Sequence, residues 1–231
     1  TLAHAADAVG TRRITVPADE SGRPVSTMVW YPTQSAAKPE KLGENVAFFG
    51  ISAIRNAAPN DGPHPLVVLS HGYGGSWRNL NWLAGELVAK GYVVAAPNHP
   101  GTTTMDRRPE EAARIWERPR DVSRVIDALS EDASIAGTVD ERRIAVVGHS
   151  LGGFTAILAA GARFDPQRLR SVCAINKELA SCETFDELQV RDDAISQEQL
   201  GMLEPDERIG AFVSLDLGLA PGFTPESLVT I

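Results

Sequence analysis

A run of branched apolar residues, Arg143-Ile144-Ala145-Val146-Val147, breaks at Gly148-His149-Ser150-Leu151-Gly152 and gives way to an alanine-rich segment over residues 154–162. Strand, G-x-S-x-G and helix in that order constrain this chain more than anything else in it. So tight a strand-to-helix turn leaves no room for side chains at its flanks, hence glycine on both sides. The serine is then carried at the tip, at the N-terminus of a helix whose dipole favours developing negative charge. Ser150 is therefore the candidate nucleophile. An ordinary strand–helix turn is the bland alternative, and the presence of both flanking elements weighs against it.

A second motif points the same way. Pro65-Leu66-Val67-Val68-Leu69-Ser70 reads as a buried strand that runs into His71-Gly72-Tyr73-Gly74-Gly75-Ser76. A glycine-rich segment leaving such a strand can turn backbone N–H groups toward one point, as an oxyanion hole requires. With one donor from that loop and one from the residue after the nucleophile, the candidates are the backbone N–H groups of Tyr73 and Leu151.

Strand and helix alternate through much of the chain. Antiparallel strands are expected at 12–16 and 25–31, then strands at 66–69, 92–96, 144–147 and 209–215. Helices are expected at 77–90, 120–129, 154–162, 183–190, 196–202 and from 224 onward. The alternation implies a mostly parallel sheet with right-handed crossovers and helices on both faces. A length of 231 residues, 43% of them apolar, suits one α/β domain over 1–231, with insertions at 33–64 and 163–207. The first insertion either borders the site entrance or forms a surface flap away from substrate.

A net charge of −8 argues against nucleic acid as a partner, and no apolar run is long enough to span a bilayer. Cys173 and Cys182 lack the histidines of a zinc site, so no metal is expected; they form either a local disulfide or two buried thiols. Ala3-His4-Ala5 looks like the small-residue end of a signal peptide, which favours a periplasmic or secreted protein over a cytoplasmic one.

A serine needs a base oriented by a carboxylate, in the chain order serine, acid, histidine. Asp216 closes the strand at 209–215 on the edge where such sheets bind ligands, and is the candidate acid; a solvated turn aspartate is the alternative. The histidines are His4, His64, His71, His99 and His149, and none follows Ser150. His149 is expected to point away from the hydroxyl, His71 to pack within the glycine-rich loop, and His99 is the one conceivable substitute base. The base is expected outside this segment, on C-terminal strands that this chain lacks and that a C-terminal fragment or second chain would supply. Trp77, Trp82 and Trp116 suit an apolar acyl pocket, although at helical spacing residues such as Trp77 and Trp82 more often serve core or surface packing.

These motifs resemble the α/β-hydrolase superfamily. Together with Ala96-Pro97-Asn98-His99-Pro100-Gly101, Arg118-Pro119-Arg120-Asp121-Val122 and Ser214-Leu215-Asp216, they look most like dienelactone-hydrolase-like carboxylesterases related to the platelet-activating-factor acetylhydrolases. The resemblance implies an α/β-hydrolase fold and a cofactor-free esterase acting on small-molecule or lipid-like esters. Ser150 would be its nucleophile, Asp216 its acid, and Tyr73 and Leu151 its oxyanion donors. The rival expectations are a non-catalytic binding module on the same fold, or a phospholipase or amidase using the same serine.

Overall fold

The computed structural model describes residues 8–188 and 194–231, so the signal-like Ala3-His4-Ala5 and the last residues of the helix expected at 183–190 lie outside the described residues. The strands are β1 (Ala8–Val16), β2 (Val25–Thr33), β3 (Glu40–Leu42), β4 (Ile51–Arg55), β5 (His64–Ser70), β6 (Val93–Asn98), β7 (Val139–His149) and β8 (Ile209–Leu215). They form one sheet in the order β3-β4-β1-β2-β6-β5-β7-β8. β1 and β2 pair antiparallel from Ala8↔Thr33 to Val16↔Val25, β2 runs antiparallel to β6, and β6, β5, β7 and β8 are parallel.

The parallel strands are apolar on both faces because both are covered. Leu66 and Val68 of β5, with Val93 and Ala95 of β6, face one layer. Their neighbours Val67, Leu69, Val94 and Ala96 face the other. The first layer contains α3 (Glu117–Glu131), which lays Val122, Val125, Ile126 and Leu129 on the sheet at helical spacing. The second contains α1 (Asn81–Ala89), preceded by a 3-10 turn over Trp77–Leu80 capped by Ser76. Trp77 is buried 5.8 Å from Trp30 in this layer, so it packs the core; Trp82, also on this side, is exposed.

α5 begins directly after Ser150 and runs Leu151–Ala159 with all nine residues buried. The sequence pattern started it three residues later, because Gly152 and Gly153 are weak helix formers; close packing against the sheet overrides that preference. Short helices α2 (Pro109–Ala112) and α4 (Ala133–Ala136) flank α3. After α5 come α6 (Pro166–Ile175), α7 (Ala180–Glu187), α8 (Gln197–Gly201) and α9 (Pro225–Leu228). α6 was not expected. Asp165 caps it by accepting from the Gln167 N–H, and Pro166 occupies its first turn, a start signal that resembles a breaker when read alone. Cys173 on α6 and Cys182 on α7 are joined by a disulfide, which resolves the alternative left open by the sequence.

Within the 33–64 stretch the β3–β4 hairpin extends the sheet beyond β1, at the edge opposite β7 and β8. At the other edge β8 leaves Val213 and Leu215 partly exposed, 46% and 38%. Among the described residues no helix is long and apolar enough to cross a membrane.

Candidate active site

The C-terminal ends of β5, β6, β7 and β8 share one edge of the sheet, and every motif of the sequence analysis emerges there. Ser150 sits at φ 55°, ψ −118°, in the left-handed half of backbone space that non-glycine residues avoid. Such strain costs about 1–3 kcal/mol and persists only where the surroundings enforce it. Here they do. A Cβ on Gly148 would overlap the Gly152 carbonyl, and one on Gly152 would overlap the carbonyl of Ser70. The Ser150 N–H donates to Leu215 O (2.9 Å), and Ser150 O accepts from Gly218 N–H (3.2 Å) and Phe154 N–H (3.1 Å). The turn is thereby tied to β5, to the end of β8 and to its own helix.

Those bonds bring Asp216 to the same edge. It too is left-handed, at φ 50°, and its carboxylate is 88% exposed. His149 Nε2 lies 3.9 Å from Asp216 Oδ2. Its ring lies between Asp216 and Gly72 at the mouth of the site, since a Cβ on Gly72 would meet His149 Nδ1 at 3.5 Å and Ser150 Cβ at 3.2 Å. Among the described residues no side chain hydrogen-bonds the Ser150 hydroxyl.

Tyr73 is half-buried on the glycine-rich loop, and Leu151 is fully buried at the first position of α5. Neither backbone N–H donates to another described group. The four residues singled out in the sequence are therefore gathered around one turn. Trp116 is buried in the same hydrophobic cluster as Leu151, Phe154 and Ile115. Its indole N–H donates to Glu117 Oε1 (3.0 Å), so it packs the core rather than lining an open pocket.

His99 is not available as a base. It is fully buried, with Nε2 2.9 Å from Ser70 Oγ and Nδ1 3.0 Å from Asp121 Oδ2. Burial, reinforced by the charges of Arg118 and Arg23, pushes its pKa well below the usual value and keeps it neutral. His71 is held neutral in the same way, by burial first and then by Arg118. Its Nδ1 pairs with Gly72 O (2.7 Å), and its Nε2 accepts from the His99 N–H (3.0 Å).

Arg118, fully buried on α3, links these groups. It donates to Thr155 Oγ1 of α5 (2.8 Å), to Thr102 Oγ1 after β6 (2.6 Å) and to His71 O at the start of the glycine-rich loop. Burial lowers its pKa to about 9. Burial also raises that of Asp121 to about 6, against the pull of Arg23. Sequence reading missed this network. Arg118-Pro119-Arg120-Asp121 was visible as a motif, but nothing in a single sequence separates a buried arginine from an exposed one.

The family model described as "Alpha/beta hydrolase family" matches residues 67–226. The chain belongs to that family. The chain is 31% identical over 116 residues to a bis(hydroxyethyl) terephthalate hydrolase of Streptomyces coelicolor, a match covering 50% of this chain and 34% of the relative. It is 32% identical over 101 residues to cutinase est1 of Thermobifida alba, covering 43% and 31%. Among solved structures it is similar to a ferulic acid esterase from Streptomyces cinnamoneus, with a TM-score of 0.55 and 28% identity over 65% of this chain and 54% of that one. The chain spans about a third of the length of the curated relatives it matches.

Proposed function

We propose that this hydrolase carries the acyl-transfer site of a serine carboxylic ester hydrolase. The observation that carries the reading is Ser150, held at positive φ between glycines that admit no side chain. Ser150 Oγ attacks the ester carbonyl, and the N–H groups of Tyr73 and Leu151 receive the developing oxyanion. The alcohol leaves with a proton, and water then adds to the acyl-serine and releases the acid. Asp216 orients the histidine that moves these protons. None of the described histidines is placed for that role: His64 starts β5 at the far end of the strand, His71 and His99 are buried, and His149 makes no hydrogen bond to Ser150. The base therefore enters from outside the described residues, against the open edge of β8 beside Asp216.

Relatives named for terephthalate ester and cutin hydrolysis support ester substrates, and the ferulic acid esterase supports the same reaction class on this fold. Export to an oxidising compartment is part of the proposal, supported by the Cys173–Cys182 disulfide. Hydrolysis of short-chain p-nitrophenyl esters by the full-length protein tests the reading. Ser150→Ala should lower kcat on the order of a millionfold, and near-full activity in that variant would refute it.

A further inference from the structure

Arg107 lies within the candidate site and has no structural task to occupy its charge. The segment after β6 is fastened to the glycine-rich loop: Gly74 N–H donates to Thr102 O (2.9 Å), Thr104 N–H to Gly75 O (2.9 Å) and Thr104 Oγ1 to Gly74 O (2.8 Å). This places the Arg107 guanidinium over the Tyr73 ring, 5.6 Å from its centroid, and against Gly74. Gly74 has φ +67°, and a Cβ there would overlap Arg107 Nη2, so the bare glycine is what admits the cation. Nearby arginines are neutralised: Arg108 by Asp106, and Arg114 by Glu111 and Glu117. Arg107 is exposed and, among the described residues, makes no ion pair and no side-chain hydrogen bond.

Gly72 abuts Ser150, Tyr73 carries a candidate oxyanion donor, and Gly74 abuts Arg107. Consecutive Cα atoms are about 3.8 Å apart, so the path from Ser150 Cβ through Gly72 and Gly74 to the guanidinium is about 16 Å at most. A stacked, unpaired guanidinium presents its remaining N–H edge to a planar anion. In a chain of net charge −8 an anionic substrate is repelled overall, so a local cation at the site is what admits it.

We propose that Arg107 recognises a free carboxylate on the acyl part of the substrate, which makes half-esters of dicarboxylic acids the favoured class. This rests on the ester-hydrolase reading above. The neutral end of such a substrate meets Ser150 while its carboxylate meets Arg107, with the carbon skeleton spanning Tyr73.

The test compares monoethyl suberate with diethyl suberate in the full-length protein, wild type against R107Q, R107K and R107E. The ratio of kcat/KM for half-ester over diester should fall about tenfold in R107Q, the value of one charge-assisted contact, and the loss should appear in KM. R107K should recover part of the ratio, and R107E should reduce it further. Added salt should erode the wild-type preference and leave the R107Q ratio flat. An unchanged ratio in R107Q with diester hydrolysis intact would overturn the assignment and leave the ester-hydrolase reading standing. Equal losses on both esters would also overturn it, because they would mark Arg107 as a support for the loop. If wild type hydrolyses neither ester, the parent reading fails and the assignment fails with it.

Discussion

Acidification from pH 7 to pH 5 should remove about 2–3 kcal/mol of folding stability, and the loss should originate at His71 and His99. Both rings are buried and held neutral, so their folded pKa values lie well below 6.5. In the unfolded chain each takes a proton near the ordinary value. Below about pH 6.5 the unfolded state therefore binds more protons than the folded one, and stability falls with pH. Integrated from pH 7 to 5, each histidine contributes a loss of about 2 kcal/mol. Asp121 acts in the opposite sense. Its folded pKa is raised to about 6, so the folded state binds that proton first and recovers about 1 kcal/mol over the same interval. Carboxylates with lowered pKa, such as Asp106 and Asp206, respond only at lower pH. Urea unfolding followed by tryptophan fluorescence at pH 7, 6 and 5 measures this, with a constant m-value confirming that the change is in stability. His99→Gln, whatever it costs at pH 7, should roughly halve the histidine share of the pH dependence. Equal unfolding free energies at pH 7 and 5, or a pH dependence untouched by that substitution, would refute the reasoning.

Other perturbations test the packing around the turn. Arg118→Met leaves His71 O without its guanidinium donor and the hydroxyls of Thr102 and Thr155 with only the bonds they donate to His99 O and Leu151 O, and should cost about 1–3 kcal/mol in urea unfolding. Gly152→Ala places a methyl on the Ser70 carbonyl, where backbone must move; it should yield insoluble protein, or a fold whose thermal midpoint is lowered by many degrees.

Much of this molecule is legible in its sequence because periodicity and glycine placement carry the information directly. β8 runs over Ile209–Leu215 as the pattern indicates, and the apolar runs of β5 and β7 fall where they were read. Ser150, Leu151, Tyr73 and Asp216 converge because each ends or follows a parallel strand, and parallel strands deliver their C-terminal ends to one edge. What was not legible depends on tertiary packing. The β3–β4 hairpin is built from a segment that looks like a loop, with Val46 and Phe49 exposed and only Leu42, Gly50, Ala53 and Ile54 buried. The Ser70–His99–Asp121 alignment imitates the order of a catalytic triad yet lies in the interior, and only burial distinguishes it from a site.

That imitation sharpens the decisive measurement. The full-length protein should be treated with a fluorophosphonate, digested and mapped by mass spectrometry. A single adduct on Ser150, abolished in Ser150→Ala, is the predicted result. An adduct on Ser70, or none on either serine while ester hydrolysis proceeds, would contradict the claim that Ser150 is the nucleophile.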